Sequence, residues 1–255
     1  MVVYDQLNRK VEIPFPPQRI ISVVPSQTEL LFYMGLTDQV VGITKFCVHP
    51  KEWFKGKTIV GGTKKFRFDI IDQLQPDLII GNKEENYLDG ISKLKEKYPV
   101  WMSDISSYED AINMITSLGK IVEREPEAIN LITAIEKNFS QLISRKLIRV
   151  VYLIWRAPWM AAGNDSFIHS MLSKMSLVNG VEELRYPTLS DSQLIELDPE
   201  LIMLSSEPYP FSTIHIEQLN RLLPKAKIIL VDGEMFSWYG SRMLLAPQYF
   251  NSLHW

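Results

Sequence analysis

Short apolar runs alternate with amphipathic stretches along the first hundred residues. Residues 19–24 (Arg19, Ile20, Ile21, Ser22, Val23, Val24) form a near-continuous apolar run, which predicts a strand buried on both faces. Pro25 stops it. Ser26, Gln27, Thr28 and Glu29 then fit the S-x-x-E capping box of a helix carrying Leu30, Leu31, Tyr33 and Met34, with Gly35 as its terminator. Residues 40–44, 58–60, 77–80 and 100–103 read as further strands, and 68–74 and 87–97 as helices. An extended arm over residues 2–13, ending in Pro14, Pro16 and Pro17, precedes them. Such alternation predicts an α/β architecture with a mostly parallel sheet covered on its faces.

Between residues 107 and 147 the β-rich runs disappear. Residues 108–122 and 126–147 show helical spacing, as at Ile129, Ile132, Ile135 and Phe139, and Pro126 flanked by Glu125 and Glu127 suits a helix start. A helix over 126–147 would run ~33 Å at 1.5 Å per residue, a length that fits a connector between lobes. Afterwards the pattern restarts, with a strand over 149–155 and a helix capped at Asp165 or Ser166 that carries Ile168, Met171, Leu172 and Met175. A weak internal repeat links the halves: residues 69–80 and 192–203, 123 positions apart, both read as helix, Pro-acidic turn and buried strand. The expected organisation is an N-terminal α/β lobe (1–107), a helical connector (108–147) and a C-terminal α/β lobe (148–255).

Composition narrows the function classes. The 255 residues are 46% apolar and 22% charged, with 27 basic and 30 acidic side chains for a net charge of −3. That excludes disorder, and it denies a general nucleic-acid binder the positive excess that phosphate neutralisation needs. No apolar run approaches the ~18–20 residues of a membrane span. Asp5, Arg9, Lys10 and Glu12 interrupt any N-terminal apolar region, so no signal-peptide pattern is read and a cytoplasmic location stays open beside an exported one. The single cysteine, Cys47, excludes an internal disulfide and a cysteine metal cage.

Catalytic motifs are missing. No phosphate loop, G-x-G-x-x-G turn or G-x-S-x-G elbow occurs, and Gly61 and Gly62 before Thr63 and Lys64 read as a β-turn. His49, His169, His215 and His254 are scattered without metal-ligand spacing, and Cys47 with His49 reads as an ordinary loop pair. What stands out is the aromatic and polar content of segments that follow strands, where α/β sheets bind ligands. These segments hold Phe46 and His49, the 82–86 loop with Asn82 and Glu85, and Trp155, Arg156 and Trp159. Tyr209 lies between Glu207 and Phe211, and Met235, Trp238 and Tyr239 follow Glu234. Flat aromatic faces with a few polar groups suit a large, partly apolar ligand.

Residues 19–30, 75–80, 163–180, 198–204 and 231–242 carry a resemblance to the cobalamin-binding receptors of ABC importers, within the class of two-lobed substrate-binding proteins joined by one rigid helix. It extends over about residues 19–253. The resemblance implies two similar α/β lobes with a ligand cleft between them and a monomeric, periplasmic binding protein rather than an enzyme. It further implies no intrinsic cofactor or metal, a corrinoid or other large metal chelate as cargo, and a membrane permease as partner. Phe46 takes the place of a tyrosine after the second strand and His49 that of a tyrosine before the next proline. Cleft tryptophans of the receptor fall at Thr63, Asn82 and Met235, with Trp155, Trp159, Trp238 and Tyr239 as neighbouring substitutes. Of two permease-docking glutamates the first matches Asp69 and the second falls at Ser237, with Glu234 nearby. A ferric siderophore or haem receptor is the alternative, for which Arg156, Lys45, Lys64 and Lys83 offer positive charge. A cytoplasmic corrinoid- or metal-handling protein or enzyme on the same fold is the reading from another class.

Overall fold

Two arginines at the start of corresponding strands show how the chain builds similar units twice. In the computed structural model, which describes all residues from Met1 to Trp255, Arg19 donates from Nε to the carbonyl of Leu74 at 2.8 Å. Asp77 accepts the backbone N–H groups of Gln18 and Arg19 at 2.7 and 2.8 Å and returns its own N–H to the Arg19 carbonyl. In the second half Arg149 donates from Nη1 to the Leu197 carbonyl, while Glu200 accepts the Arg149 N–H and donates its own back. Leu74, Gln75 and Asp77 thus return as Leu197, Asp198 and Glu200, 123 residues on. Gln75 and Asp198 both adopt left-handed backbone, φ 44° and 40°, which ends the helices Phe68–Leu74 and Asp191–Glu196 ahead of Pro76 and Pro199. The internal repeat is therefore structural, down to the residue that turns the chain.

The chain divides into two compact units. The first comprises 1–105, 109–134 and 239–242; the second comprises 106–108, 135–238 and 243–255. The first contains a five-stranded, fully parallel sheet in the order Thr58–Ile59, Val40–Ile43, Ile20–Ser22, Leu78–Asn82, Val100–Ser103. The chain steps outward from Ile20–Ser22 and then jumps back to its other side at Leu78–Asn82, which places a topological switch point between those two strands. Ile21, Val23, Val60, Ile71, Ile79, Ile91, Leu94, Val100 and Met102 make its core on one face. Two helices contribute Ala111, Met114, Ile115, Leu118, Ala128 and Leu131, all buried. They approach closely at Gly119, where a Cβ would stand 2.5 Å from that of Ala128.

The first helix starts two residues earlier than the capping-box pattern predicts. It runs Pro25–Tyr33 with Val24 as a cap that makes no side-chain bond, because proline at the first position already supplies helical φ. Ser26, Gln27 and Thr28 are buried, and Glu29 is drawn to Arg242, whose Nη2 and Nε donate to its two oxygens at 2.6 and 3.1 Å. Gly35 ends the helix as expected, at φ 79°. Its N–H bonds to the Phe32 carbonyl and that of Leu36 to the Leu31 carbonyl, the two bonds of a Schellman motif.

In the second unit the sheet is mixed. Ile148–Trp155 is central and pairs in parallel with Leu201–Ser205, which pairs in parallel with Lys227–Val231. On its other edge Leu177–Asn179 pairs with its first residues in parallel, while Trp159–Ala161 folds back antiparallel on its last ones and carries Thr188–Leu189. The helix expected over 126–147 spans Glu125–Phe139, ~22 Å. It stops because the following segment is tied to the C-terminus. The N–H of Ile143 donates to Asn251, and Arg145 donates to the carbonyls of Phe250, Asn251 and Leu253 with its guanidinium 4.1 Å from the Trp255 ring centre. Asp77→Ala, which removes two backbone-accepting bonds, is expected to cost about 1–2 kcal/mol, and Glu200→Ala, which removes one longer bond, about half that; urea denaturation followed by circular dichroism reads both.

Candidate functional site

The strand Ile148–Trp155 delivers its last residue to the end of the second sheet, and an aromatic cluster assembles around it. Trp155 is 40% exposed and meets Tyr209 edge-on at 5.4 Å between ring centres. Tyr209 in turn packs on Phe211 at 4.8 Å and on His215 at 5.4 Å. Phe211 stacks nearly parallel to Trp159 at 6.4 Å. Trp159 is 2% exposed and donates its indole N–H to Asp191 at 2.7 Å. Its ring is covered on one side by the Arg156 guanidinium, 4.1 Å from the ring centre. The two tryptophans therefore differ: Trp155 offers a surface, whereas Trp159 belongs to the core that holds this surface in place.

His215, which showed no metal-ligand spacing in the sequence and was given no role, orients the cluster. Backbone N–H of Ser212 donates to its Nδ1 at 3.0 Å, and Nε2 lies 3.1 Å from the hydroxyl of Tyr209. A backbone N–H can only donate, so Nδ1 is an acceptor and the neutral ring carries its proton on Nε2, facing Tyr209. The hydroxyl proton of Tyr209 then points elsewhere. Ser212 followed three residues later by His215 is the signal that local reading passed over, since a capping box usually has Glu or Gln there.

Beside this cluster, Glu207 accepts from Ser237 Oγ and from the Trp238 indole N–H, each at 2.9 Å. Burial raises the Glu207 carboxyl above its ordinary value, the two hydrogen bonds oppose the shift, and the charges of Glu234 and Asp232 add to it. Trp238 is thereby fixed as a buried side chain, and Ser237 is engaged with Glu207 and the Gly233 carbonyl. Met235 and Glu234 are half-buried on the same short helix, Glu234–Ser237.

In the first unit Phe46 follows Val40–Ile43 and is 49% exposed, lying on the backbone of Gly62, where a Cβ would come within 3.1 Å of its ring. Lys45 stands 5.0 Å from its ring centre. The loop beneath is locked by buried polar groups: Thr28 donates to Cys47 Sγ, with Thr44 also in contact, and the Phe46 N–H donates to Thr44. Burial pushes the Cys47 thiol up, which leaves it an inert anchor. Thr63 and His49 are half-buried on adjoining loops. Asn82 is buried, donates to Ser103 and caps the N–H groups of Glu84 and Glu85; Glu85 itself is exposed. Tyr239 is counted with this unit, buried beside Ser26 and Ser103, and burial lifts its phenol far above the usual range. Asp69 is exposed on Phe68–Leu74. No three His, Cys, Asp or Glu side chains gather as metal ligands.

This arrangement offers aromatic and polar surfaces at strand ends and no nucleophile–base pair. A family profile described as periplasmic binding protein matches residues 20–221. The chain belongs to the periplasmic binding protein family. It is 24% identical over 216 residues to an uncharacterized ABC transporter substrate-binding lipoprotein, YvrC, of Bacillus subtilis (strain 168), covering 80% of this chain and 68% of that protein. Its fold is similar to that of the periplasmic vitamin B12 binding protein BtuF of Vibrio cholerae, with a TM-score of 0.81, 21% identity, and 94% and 97% of the two chains covered. It is also similar to that of the periplasmic heme binding protein HutB of Vibrio cholerae, with a TM-score of 0.78, 20% identity, and 92% and 98% covered. Periplasmic binding proteins are transport components without enzymatic activity, so the strand-end residues are read as a binding surface. The two α/β units joined through a helix are the architecture the sequence led us to expect.

Two outcomes test this periplasmic binding protein's local architecture. Trp159→Ala is expected to cost about 3–5 kcal/mol, as a large buried side chain with a satisfied indole, whereas Trp155→Ala leaves thermal stability nearly unchanged. Glu207 in the folded chain keeps its proton to higher pH than it does unfolded. Its contribution to stability is therefore complete below the ordinary value of 4.5 and is lost as pH rises through the raised one. Thermal melts from about pH 4 to pH 8 are expected to show Glu207→Gln gaining on the wild type as pH increases.

Proposed function

We propose that this protein is the substrate-binding component of an ABC importer and captures a corrinoid, a planar metal chelate of cobalamin type, for delivery to a membrane permease. The observation that carries the reading is the exposed aromatic surface at a strand end in each unit: Phe46 on Gly62 in the first, Trp155 against Tyr209 in the second. Both are large flat faces on rigid supports, which favours stacking on an extended ring system at small entropic cost. The names of the similar proteins agree with the reading, since one binds vitamin B12 and another belongs to an ABC transporter. We assign Thr63, Glu85, His49, Met235 and Tyr239, each within its own unit, to the polar and apolar surround of these surfaces. Asn82, Trp159 and Trp238, whose polar groups are bonded inside their units, act as its supports.

A haem is the second reading, favoured by Arg156, whose guanidinium suits a carboxylate-bearing chelate, and by the likeness to HutB. We place the protein outside the cytoplasm, as a monomer, with Asp69 and Glu234 as acidic contacts for the permease. Absorbance and tryptophan-fluorescence titrations with cyanocobalamin, hydroxocobalamin and haemin separate the readings. A one-to-one coloured complex with a corrinoid is expected, weakened by about 1–3 kcal/mol in Trp155→Ala and in Phe46→Ala. Binding of haemin alone would replace the corrinoid by haem, and binding of none would remove both.

A further inference from the structure

We infer that the Arg156–Tyr209 face of the second unit is an oxyanion subsite: it takes a carboxylate or phosphodiester group carried by the chelate and thereby selects among chelates of similar size. The inference rests on the reading above for the chelate, though not for the anion. Arg156 lies flat on Trp159, and Trp159 is itself fixed by Asp191 and Phe211. Its Nε faces Gln218 Oε1 at 3.4 Å. Both Nη groups are left without a protein partner, and no carboxylate pairs with the guanidinium. Of the three lysines named beside it, Lys64 donates to the Glu84 carbonyl and Lys83 pairs with Asp104, while Lys45 is an exposed amine over Phe46. Asp191 is occupied by the Trp159 indole, and Glu207 by Ser237 and Trp238. A planar fork held on a buried ring with its outer N–H groups unused is the arrangement that binds an oxyanion through two parallel hydrogen bonds.

Tyr209 adds a third donor. With Nε2–H of His215 directed at its oxygen, the phenol accepts there and keeps its own proton for another acceptor. Arg156 and Tyr209 are linked by contact through Trp159 and Phe211, so cation and phenol share one rigid aromatic base. His215 acts through Tyr209 and is a positioning residue. A carboxylate on the rim of a haem and the phosphodiester of a cobalamin both supply the chemistry that this subsite recognises.

The test uses the full chain with two kinds of probe. Benzoate and phenyl phosphate, followed by the Arg side-chain Nε–H signals in proton–nitrogen NMR, read the subsite without any chelate. A saturable shift is expected in the wild type and none in Arg156→Gln; a wild type that does not respond overturns the inference whatever the chelates do. Chelate pairs then locate the source: cyanocobalamin against dicyanocobinamide, which lacks the phosphodiester, and haemin against its dimethyl ester. Arg156→Gln and Tyr209→Phe are expected to weaken the anionic member of one pair by about 10–100-fold and its partner by less than about threefold, the affected pair naming the anion. Arg156→Lys, which keeps the charge and loses the fork, is expected between wild type and Gln, and provides a folded variant should Gln expose Trp159. His215→Phe is expected to reproduce the selective loss of Tyr209→Phe, which a merely structural role would not. Equal losses for both members of each pair overturn the inference. Response to the simple anions with no chelate bound would sustain the subsite and remove the corrinoid and haem readings instead.

Discussion

Parallel strands cannot be joined by hairpins, so each must be followed by a crossover, and the segments that begin those crossovers collect at one end of the sheet. In the first unit all five strands of the parallel sheet obey this rule; Phe46 and Gly62 follow carboxyl ends, and Asn82 and Ser103 are the last residues of their strands. The starts of the strands Ile20–Ser22 and Ile148–Trp155 are fixed independently by the arginine tie, in which the arginine side chain bonds the end of the helix that leads into the neighbouring strand and the acid after that helix accepts the arginine's own N–H. Register is thus set at the far end, which frees the carboxyl ends to vary in chemistry. The second unit keeps four strands paired in parallel, Leu177–Asn179 among them, and adds two that pair antiparallel. That reversal brings Trp159 back across the end of its own strand and onto Phe211.

Much of this is legible in the sequence. The strands containing Ile20, Val40, Leu78, Val100 and Val150 are apolar runs whose burial leaves little choice of structure, and the Pro-acidic repeat survives because a helix must end and a strand begin within a few residues. What local pattern could not show was competition from distant groups. Ser26 and Glu29 match a capping box, yet Pro25 starts the helix and Arg242 takes the carboxylate. Residues 140–147 carry helical spacing, yet Arg145 finds three carbonyls of the C-terminal segment. In both cases a charge-assisted hydrogen bond over more than a hundred residues outweighs a propensity worth a few tenths of a kcal/mol per residue.

The candidate site was legible by residue type and not by role. Trp155 and Trp159 lie four positions apart and look equivalent, but the turn between them reverses the strand and sends one outward and the other into the core. Asn82 and Trp238 sit where ligand-facing groups were expected, and each has its polar atoms bonded within its unit. Sequence reading finds which loops hold the chemistry; only the hydrogen-bond partners tell a surface from its support. His215 is the converse case, an unremarkable surface-helix position made consequential by a backbone N–H that fixes its tautomer.

Charge arithmetic for the whole chain, at −3, argues against long-range attraction of an anion, and exposed charges are screened beyond about 8–10 Å in physiological salt. Whatever anion selectivity exists must therefore be local. The second unit supplies it by an asymmetry between its buried acid and its surface cation. Glu207 has its carboxyl oxygen engaged internally by Ser237 and Trp238, while the Arg156 guanidinium lies on a rigid aromatic support with two donor groups unused. A guanidinium held this way loses little side-chain entropy when it closes on an oxyanion, because the stacking on Trp159 has already ordered it. The core tryptophan and the binding arginine are one device: the burial that removes Trp159 from the surface is what aims Arg156 away from it.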